Sequence, residues 1–264
     1  MPSQKYVKMD QIDHIHHRPD TYIGSAKPQT ETDEWVLDIS SDCNLTFEEK
    51  IVKKDKITYS PGLFRIFIEA LSNAIDNVWR SKDSDTPVTK IKVSIDTSPE
   101  SKTFGKTTIW NDGLTIPVEV HEETGVTNPE LIFGHLLTSS NYDDNEERIT
   151  SGRNGLGIKL TNIFSKNFTV KLVDTITNQS FEKTWKDGMR NTSSKTKIKS
   201  VNKDKGFTEI SWEPDFSRFG CEGYSKDILS LLYRTVYDAA MLTKVPMYIN
   251  GKKVPVKTLA DYAK

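Results

Sequence analysis

The sequence predicts an α+β protein, a two-layer sandwich in which helices cover a mixed sheet. Three observations predict it. One long segment repeats apolar residues at the 3.6-residue period of a helix: Leu63, Phe67, Ala70, Leu71, Ala74 and Val78. Five later segments alternate apolar and polar residues as half-buried strands do. The helical segments gather between groups of strands and do not follow each strand in turn, which argues against a strict βαβ repeat. A chain of 264 residues is long enough for one such domain, because folding at this size buries roughly 70–75% of the unfolded surface.

The elements follow in chain order. Val7–His16 is a short amphipathic segment expected to stop at Arg18-Pro19, because the residue before a proline is pushed out of the helical region. Ser60 then offers an N-cap and Pro61 a first helical position for the long helix, which should run to about Arg80. Strands are expected at Lys90–Asp96, Thr107–Trp110, Phe168–Val173, Phe181–Trp185 and Phe207–Trp212. Further helices are expected at Asn128–Leu137, Gly157–Phe164 and Lys226–Thr243. Asn250-Gly251, between Met247–Ile249 and Lys253–Val256, is the signal of a two-residue hairpin. Lys183–Gly206 is poor in apolar residues and reads as a surface hairpin or loop, and no internal repeat is present.

Composition excludes several classes of function. The formal net charge is -1, so the chain as a whole has no electrostatic grip on nucleic acid, and any DNA contact must be local. Two cysteines, Cys43 and Cys221, cannot build a disulfide framework or a tetrahedral zinc site, which suits a reducing compartment. No apolar run has membrane length and Met1–Asp10 has no signal-peptide pattern, so the expectation is an intracellular protein without a membrane partner. His14, His16 and His17 lie close together but lack a spaced fourth ligand. Lys183–Lys205 holds eight Lys or Arg against two Asp, a stretch that would suit DNA but reads more simply as a solvated hairpin. The acidic run Asp143–Glu147 reads most simply as the tip of a mobile lid.

Three constellations carry chemistry. On the long helix Glu69, Asn73 and Asn77 recur at i, i+4 and i+8 and project along one side. A carboxylate beside amides suits a hydrated cation and phosphates. Magnesium takes few protein oxygens, so the neutral Asn73 carbonyl can ligate it, and Glu69 one turn earlier can deprotonate a water. The same spacing also describes the polar face of an ordinary amphipathic helix. The second constellation is Trp110-Asn111-Asp112-Gly113 after a strand, where Asn111 offers the donor and acceptor that an adenine edge requires. It also reads as an Asx turn without a ligand. The third is Ser151-Gly152-Arg153-Asn154-Gly155-Leu156-Gly157-Ile158-Lys159, where glycines lead into an apolar helix and backbone N–H groups can hold anions. Its G-x-x-G-x-G spacing is not that of the dinucleotide fingerprint, and Lys159 stands one place too late, with no Ser or Thr after it, for a P-loop, so both of those readings fail.

The order Glu69…Asn73, then Asn111-Asp112-Gly113, then a glycine loop before a helix, resembles the GHKL ATPase superfamily. Longer strings resemble one branch, the ATPase region of eukaryotic and viral type IIA topoisomerases: Arg18-Pro19-Asp20-Thr21-Tyr22-Ile23-Gly24-Ser25, Leu136-Leu137-Thr138-Ser139-Ser140-Asn141-Tyr142-Asp143-Asp144 and Gly152-Arg153-Asn154-Gly155. The likeness runs from about Tyr6 to Tyr262. It implies a GHKL, or Bergerat-type, fold over residues 1–264 with an N-terminal strap to about residue 25, and ATP and Mg2+ as cofactors. Glu69 would be the general base, Asn73 the magnesium ligand and Asn77 a neighbouring nucleotide contact. Asn111 would recognise adenine with Ile116 beside the base, and Thr138, Ser139, Ser140 and Asn141 would contact ribose and phosphates. Gly152, Arg153, Asn154, Gly155, Leu156, Gly157, Ile158 and Lys159 would form the lid over the phosphates, and Tyr22 would reach across a dimer to the partner's nucleotide.

The resemblance further implies a homodimer that closes on ATP binding, acts on duplex DNA in the full-length enzyme, and reopens on hydrolysis. Location would be the nucleus, or a viral factory or virion for a viral source. The family continues into a transducer domain supplying a lysine to the γ-phosphate, then into metal-binding and DNA-cleaving domains. None of these follows Lys264, so the expectation is slow turnover and no DNA cleavage by this chain alone. Three departures stand out: Thr115 replaces a motif glycine, Leu156 stands where many relatives have tyrosine, and Ser151 replaces a glycine at the lid entrance. A β-branched Thr115 takes positive φ with difficulty, so the turn there is expected to differ. Rival readings are another GHKL ATPase of the mismatch-repair or histidine-kinase type, or an ATP-gated binding module without turnover. The first lacks a phosphoacceptor domain in the kinase case, and an intact Glu69 argues against the second.

Overall fold

The computed structural model describes residues 8–40, 50–136, 155–191 and 194–262. Helix α1 (Gln11–His17) starts later than Val7 because Asp10 caps it, accepting from the Ile12 N–H at 2.9 Å. It stops before Pro19 as expected, but Pro19 then opens a second short helix, α2 (Pro19–Ile23). Proline is as well suited to a first helical position as it is hostile to the residue before it. Strands β1 (Gln29–Leu37) and β2 (Ile51–Tyr59) form an antiparallel ribbon that the sequence reading passed over. Of their side chains only Val36, Leu37 and Ile57 are buried, and a small cluster of Val36, Ile57 and Leu231 secures the ribbon.

Helix α3 (Pro61–Ser81) has its N-cap at Ser60, whose hydroxyl accepts from Leu63 N at 3.2 Å. The Ser60 hydroxyl also donates to the Ala26 carbonyl at 2.8 Å, and Gly62 N donates to Ser25 O at 2.8 Å. A Cβ at Gly62 would lie 2.8 Å from the Ile23 side chain, so the missing side chain lets the N-terminal segment seat directly on this helix. Strands β3 (Ile91–Ile95) and β4 (Thr107–Asp112) follow, then α4 (Asn128–Gly134). Helix α4 is shorter than the expected Asn128–Leu137, because His135 is already extended.

Helix α5 (Gly157–Ile163) leads into β5 (Ser165–Asp174) and β6 (Gln179–Lys186). The Lys183–Gly206 stretch contains a strand of its own, β7 (Lys197–Ser200), before β8 (Phe207–Pro214). A 3₁₀ turn (Phe216–Phe219), α6 (Lys226–Thr243), β9 (Met247–Ile249), β10 (Lys252–Lys253) and α7 (Leu259–Tyr262) complete the described chain. The hairpin at Asn250-Gly251 forms with both residues at positive φ, 47° and 83°, although its second strand is shorter than Lys253–Val256.

The main sheet has eight strands in the order β10-β9-β3-β4-β8-β5-β6-β7, with β3 and β9 parallel and all other neighbours antiparallel. This is the mixed sheet that the pattern predicted. Its inner face, including Val93, Ile109, Val170 and Ile210, joins one core with Phe67, Ile163 and Leu232 from α3, α5 and α6.

The outer face is polar by a regular device. Cross-strand register places Tyr248, Lys92, Trp110, Glu209, Lys171, Glu182 and Lys197 in one row across seven strands. Lys92 lies 4.6 Å from the Trp110 ring centre, and Lys197 meets Glu182 at 2.9 Å. Alternating charges opposite one another stabilise a sheet face and leave it at ease in water. Three cations of the basic Lys183–Lys205 stretch are therefore spoken for: Lys183 by Glu130 at 2.5 Å, Lys197 by Glu182, and Arg190 by Asp13. Burial opposes ionisation of Glu130, but Lys183 and Thr196 outweigh it and hold its carboxyl below the ordinary range. The stretch is a hairpin bound to the body of the protein.

Candidate functional site

A cavity of about 1230 Å³ opens between α3, α5, the loop after β4 and the inner ends of β4 and β8. Helical spacing brings Glu69, Asn73 and Asn77 to it together, as the i, i+4, i+8 pattern required. One oxygen of Glu69 meets Arg65 at 2.6 Å. The other lies against the backbone of Gly157, where an added Cβ would stand only 2.0 Å from it. The carboxylate is thus held between a guanidinium one turn earlier and the first residue of α5. The Asn77 amide donates to Leu114 O at 2.8 Å, so this residue braces the loop that follows β4.

Asn111, Asp112 and Gly113 divide their work. Asn111 is buried and lines the cavity, its amide donating to the Asp112 carbonyl at 2.9 Å. Asp112 faces away and accepts from Thr89 N, Lys90 N and the Thr89 hydroxyl at 2.8, 3.0 and 2.5 Å. Gly113 has φ 95°, and a Cβ there would come within 2.7 Å of Val88 N. The backbone-turn reading describes Asp112, whereas the cavity reading describes Asn111. Thr115 is absent from the positive-φ residues, and with Ile116 it lines the cavity.

Gly155, Leu156, Gly157, Ile158 and Lys159 line the opposite end. Lys159 is 1% exposed and donates to Gly155 O at 2.5 Å. Burial lowers its pKa from 10.5 to about 8, because an apolar surround disfavours the charged ammonium. Tyr22 lies at the cavity edge, its hydroxyl 3.0 Å from His14 Nδ1. His16 instead contacts the Ile163 carbonyl at 2.9 Å, and burial lowers its pKa. Thr138, Ser139, Ser140, Asn141, Gly152, Arg153 and Asn154 lie outside the described residues.

The structure adds lining residues that sequence reasoning missed. Thr208 and Ile210 reach the cavity from β8, and the period-2 pattern of Phe207–Trp212 had already placed them on one face. Arg65 was legible as the residue four before Glu69. Ile176, from the β5–β6 turn, had no signal in the sequence beyond its place in a turn.

Residues 58–199 match the family model described as histidine kinase-, DNA gyrase B-, and HSP90-like ATPase. The chain belongs to this ATPase family. Over 98% of its length it is 42% identical to DNA topoisomerase 2 of Candida glabrata, and over 97% it is 46% identical to DNA topoisomerase 2-beta of Gallus gallus. It spans 17% and 15% of those two proteins. Among solved structures, the ATPase region of Saccharomyces cerevisiae topoisomerase II superposes with a TM-score of 0.87 at 38% identity, covering all of this chain and 65% of that one. The ATPase domain of Thermus thermophilus gyrase B matches with a TM-score of 0.60 at 17% identity over 92% of this chain and 49% of that one, a likeness of fold. The mixed sheet with helices on one face is accordingly the GHKL ATPase fold.

Proposed function

We propose that the cavity binds Mg-ATP and that the chain serves as the ATP-operated gate of a type IIA DNA topoisomerase. One observation carries this reading: a carboxylate, Glu69, stands between Arg65 and the glycine-rich start of α5, while Asn111 and Ile116 line the other end of the same cavity. A nucleotide spanning that cavity would set its base by Asn111 and its phosphates by Gly155–Lys159.

Glu69 acts as general base, taking a proton from the water that attacks the terminal phosphate; a positioned base of this kind contributes about 10²–10⁴-fold. The donor set suits magnesium. Among the described residues no group of three or more His, Cys, Asp or Glu gathers as a metal cage, and a hard ion bound with phosphates takes only one or two protein oxygens. The Asn73 amide oxygen would hold it, and the ion when bound would neutralise charge on the phosphates.

Tyr22, on the N-terminal segment seated against α3, would reach a partner's nucleotide in the closed dimer. In the whole protein, ATP would bring two copies together around duplex DNA, and hydrolysis would part them. Such an enzyme works where the cell keeps its DNA, and the two DNA topoisomerase 2 relatives named above are eukaryotic. Sedimentation velocity with and without a non-hydrolysable ATP analogue tests the gate: a shift from monomer to dimer that requires the analogue supports it. An unchanged sedimentation coefficient at saturating analogue contradicts it.

A further inference from the structure

Asp174, the last residue of β5, is fully buried. Its carboxylate accepts from the Thr115 hydroxyl at 3.4 Å and from Val118 N at 3.1 Å, both on the loop after Gly113. It also accepts from Ile176 N, Thr177 N and the Thr177 hydroxyl at 3.0, 3.3 and 2.5 Å, all on the β5–β6 turn. Both tied segments face the cavity: Leu114, Thr115, Ile116 and Pro117 line it from the loop, and Ile176 lines it from the turn. A single carboxylate therefore joins two pieces of one wall that lie far apart in the chain.

Thr115 explains why such a clamp is needed. It stands where the ATPase motif has a glycine, and a glycine there can turn the chain by its own conformational freedom. Threonine lacks that freedom, and Thr115 keeps out of the positive-φ region. Its side chain is accommodated from two sides. The hydroxyl goes to Asp174, and the methyl lies over Gly206, where an added Cβ would come within 3.1 Å of Thr115 Cγ2.

We infer that Asp174 is a positioning residue for the nucleobase: it fixes the loop bearing Ile116, replacing with a buried carboxylate and a threonine the turn a glycine would otherwise make. The inference rests on the nucleotide reading above. Carboxylates accept through two oxygens, so an asparagine at this place keeps one acceptor and turns an amide donor toward N–H groups that need an acceptor. The loop then loses half its anchorage. The phosphate end does not share it, because Glu69, Asn73 and Gly155–Lys159 have no hydrogen bond to Asp174 among those above.

Calorimetry on the whole chain, with magnesium present, separates the two ends. The probes are a non-hydrolysable ATP analogue, the corresponding GTP analogue and inorganic tripolyphosphate. For Asp174→Asn the ATP analogue should weaken about tenfold, the preference over the GTP analogue should shrink by a similar factor, and tripolyphosphate should stay within about twofold of wild type. Thr115→Val, which removes only the hydroxyl, should weaken the ATP analogue by about threefold and leave tripolyphosphate alone. It decides the matter should the asparagine variant fail to fold. Equal weakening of all three probes would mean a general structural role and overturn the inference, as would unchanged binding in either folded variant. A wild-type chain that binds none of the three would overturn the nucleotide reading instead.

Discussion

Gly157→Ala is the sharpest perturbation available at the site. An alanine Cβ would stand 2.0 Å from Glu69 Oε2 and 2.9 Å from Glu69 Cδ, whereas ordinary contacts begin at 3.4 Å. The carboxylate must retreat by about 1.4 Å to restore van der Waals contact, and that movement also disturbs the 2.6 Å pair with Arg65. The backbone is not at issue: Gly157 is helical and is absent from the glycines of positive φ. Alanine is favoured over glycine by about 1 kcal/mol in a helix interior and by less at the first position of a helix, where Gly157 stands, so the fold should hold. Because the colliding atom is the end of a flexible side chain, the stability cost is small and the catalytic cost is large. A misplacement of about 1 Å in a catalytic group costs on the order of 10²-fold, close to 2.7 kcal/mol of barrier. A coupled ATPase assay should therefore show kcat reduced by about two orders of magnitude, with the melting temperature unchanged or raised. A variant that turned over ATP at the wild-type rate would refute the idea that Glu69 works from its position beside Gly157.

Two further outcomes follow from the same geometry. Glu69→Gln should keep nucleotide binding and lose about 10²–10⁴-fold in turnover, measured by single-turnover hydrolysis; wild-type rates would remove Glu69 from the base role. Lys159→Met should stabilise the nucleotide-free domain and weaken its hold on ATP. Below pH 8 the buried ammonium stays charged in both states, and holding its pKa at about 8 in place of 10.5 costs the folded state about 3 kcal/mol. Between pH 8 and 10.5 the folded chain releases the proton while the unfolded chain keeps it, so that cost fades as pH rises. The gain in melting temperature should thus be about 5 °C near pH 7 and shrink toward pH 10, while ATP affinity falls by about 1.5–3 kcal/mol. A variant less stable than wild type at pH 7, or one with unaltered affinity, would contradict the assignment.

Local chemistry made much of this fold legible. Ser60, Pro61 and the apolar stripe of α3 act within a few residues of one another, and the helix begins where they indicate. The Asn250-Gly251 turn is of the same kind. The β1–β2 ribbon was not legible, because charged and polar residues interrupt the apolar alternation in both strands and the ribbon is held by Leu231 of α6, a contact only the tertiary fold creates. Pro19 was read as a stop when it is equally a start. At the site, helical spacing was enough to align Glu69, Asn73 and Asn77, and the motif order pointed to the ATPase resemblance. What brings Glu69 to Gly157, and Asp174 to Thr115, is the packing of α5 and β5 against elements far away in the chain. No spacing rule reports such contacts, and the departure at Thr115 became intelligible only with Asp174 and Gly206 beside it.

The central claim, that the cavity under α3 and α5 is an Mg-ATP site, is tested most directly by calorimetric titration of this chain with a non-hydrolysable ATP analogue, with and without magnesium. The account predicts one site per chain, binding in the micromolar range, or about 8 kcal/mol, that weakens when magnesium is withheld and is lost when the Gly155–Lys159 segment is deleted. Heats indistinguishable from dilution at every concentration, or binding indifferent to both magnesium and that segment, would contradict it.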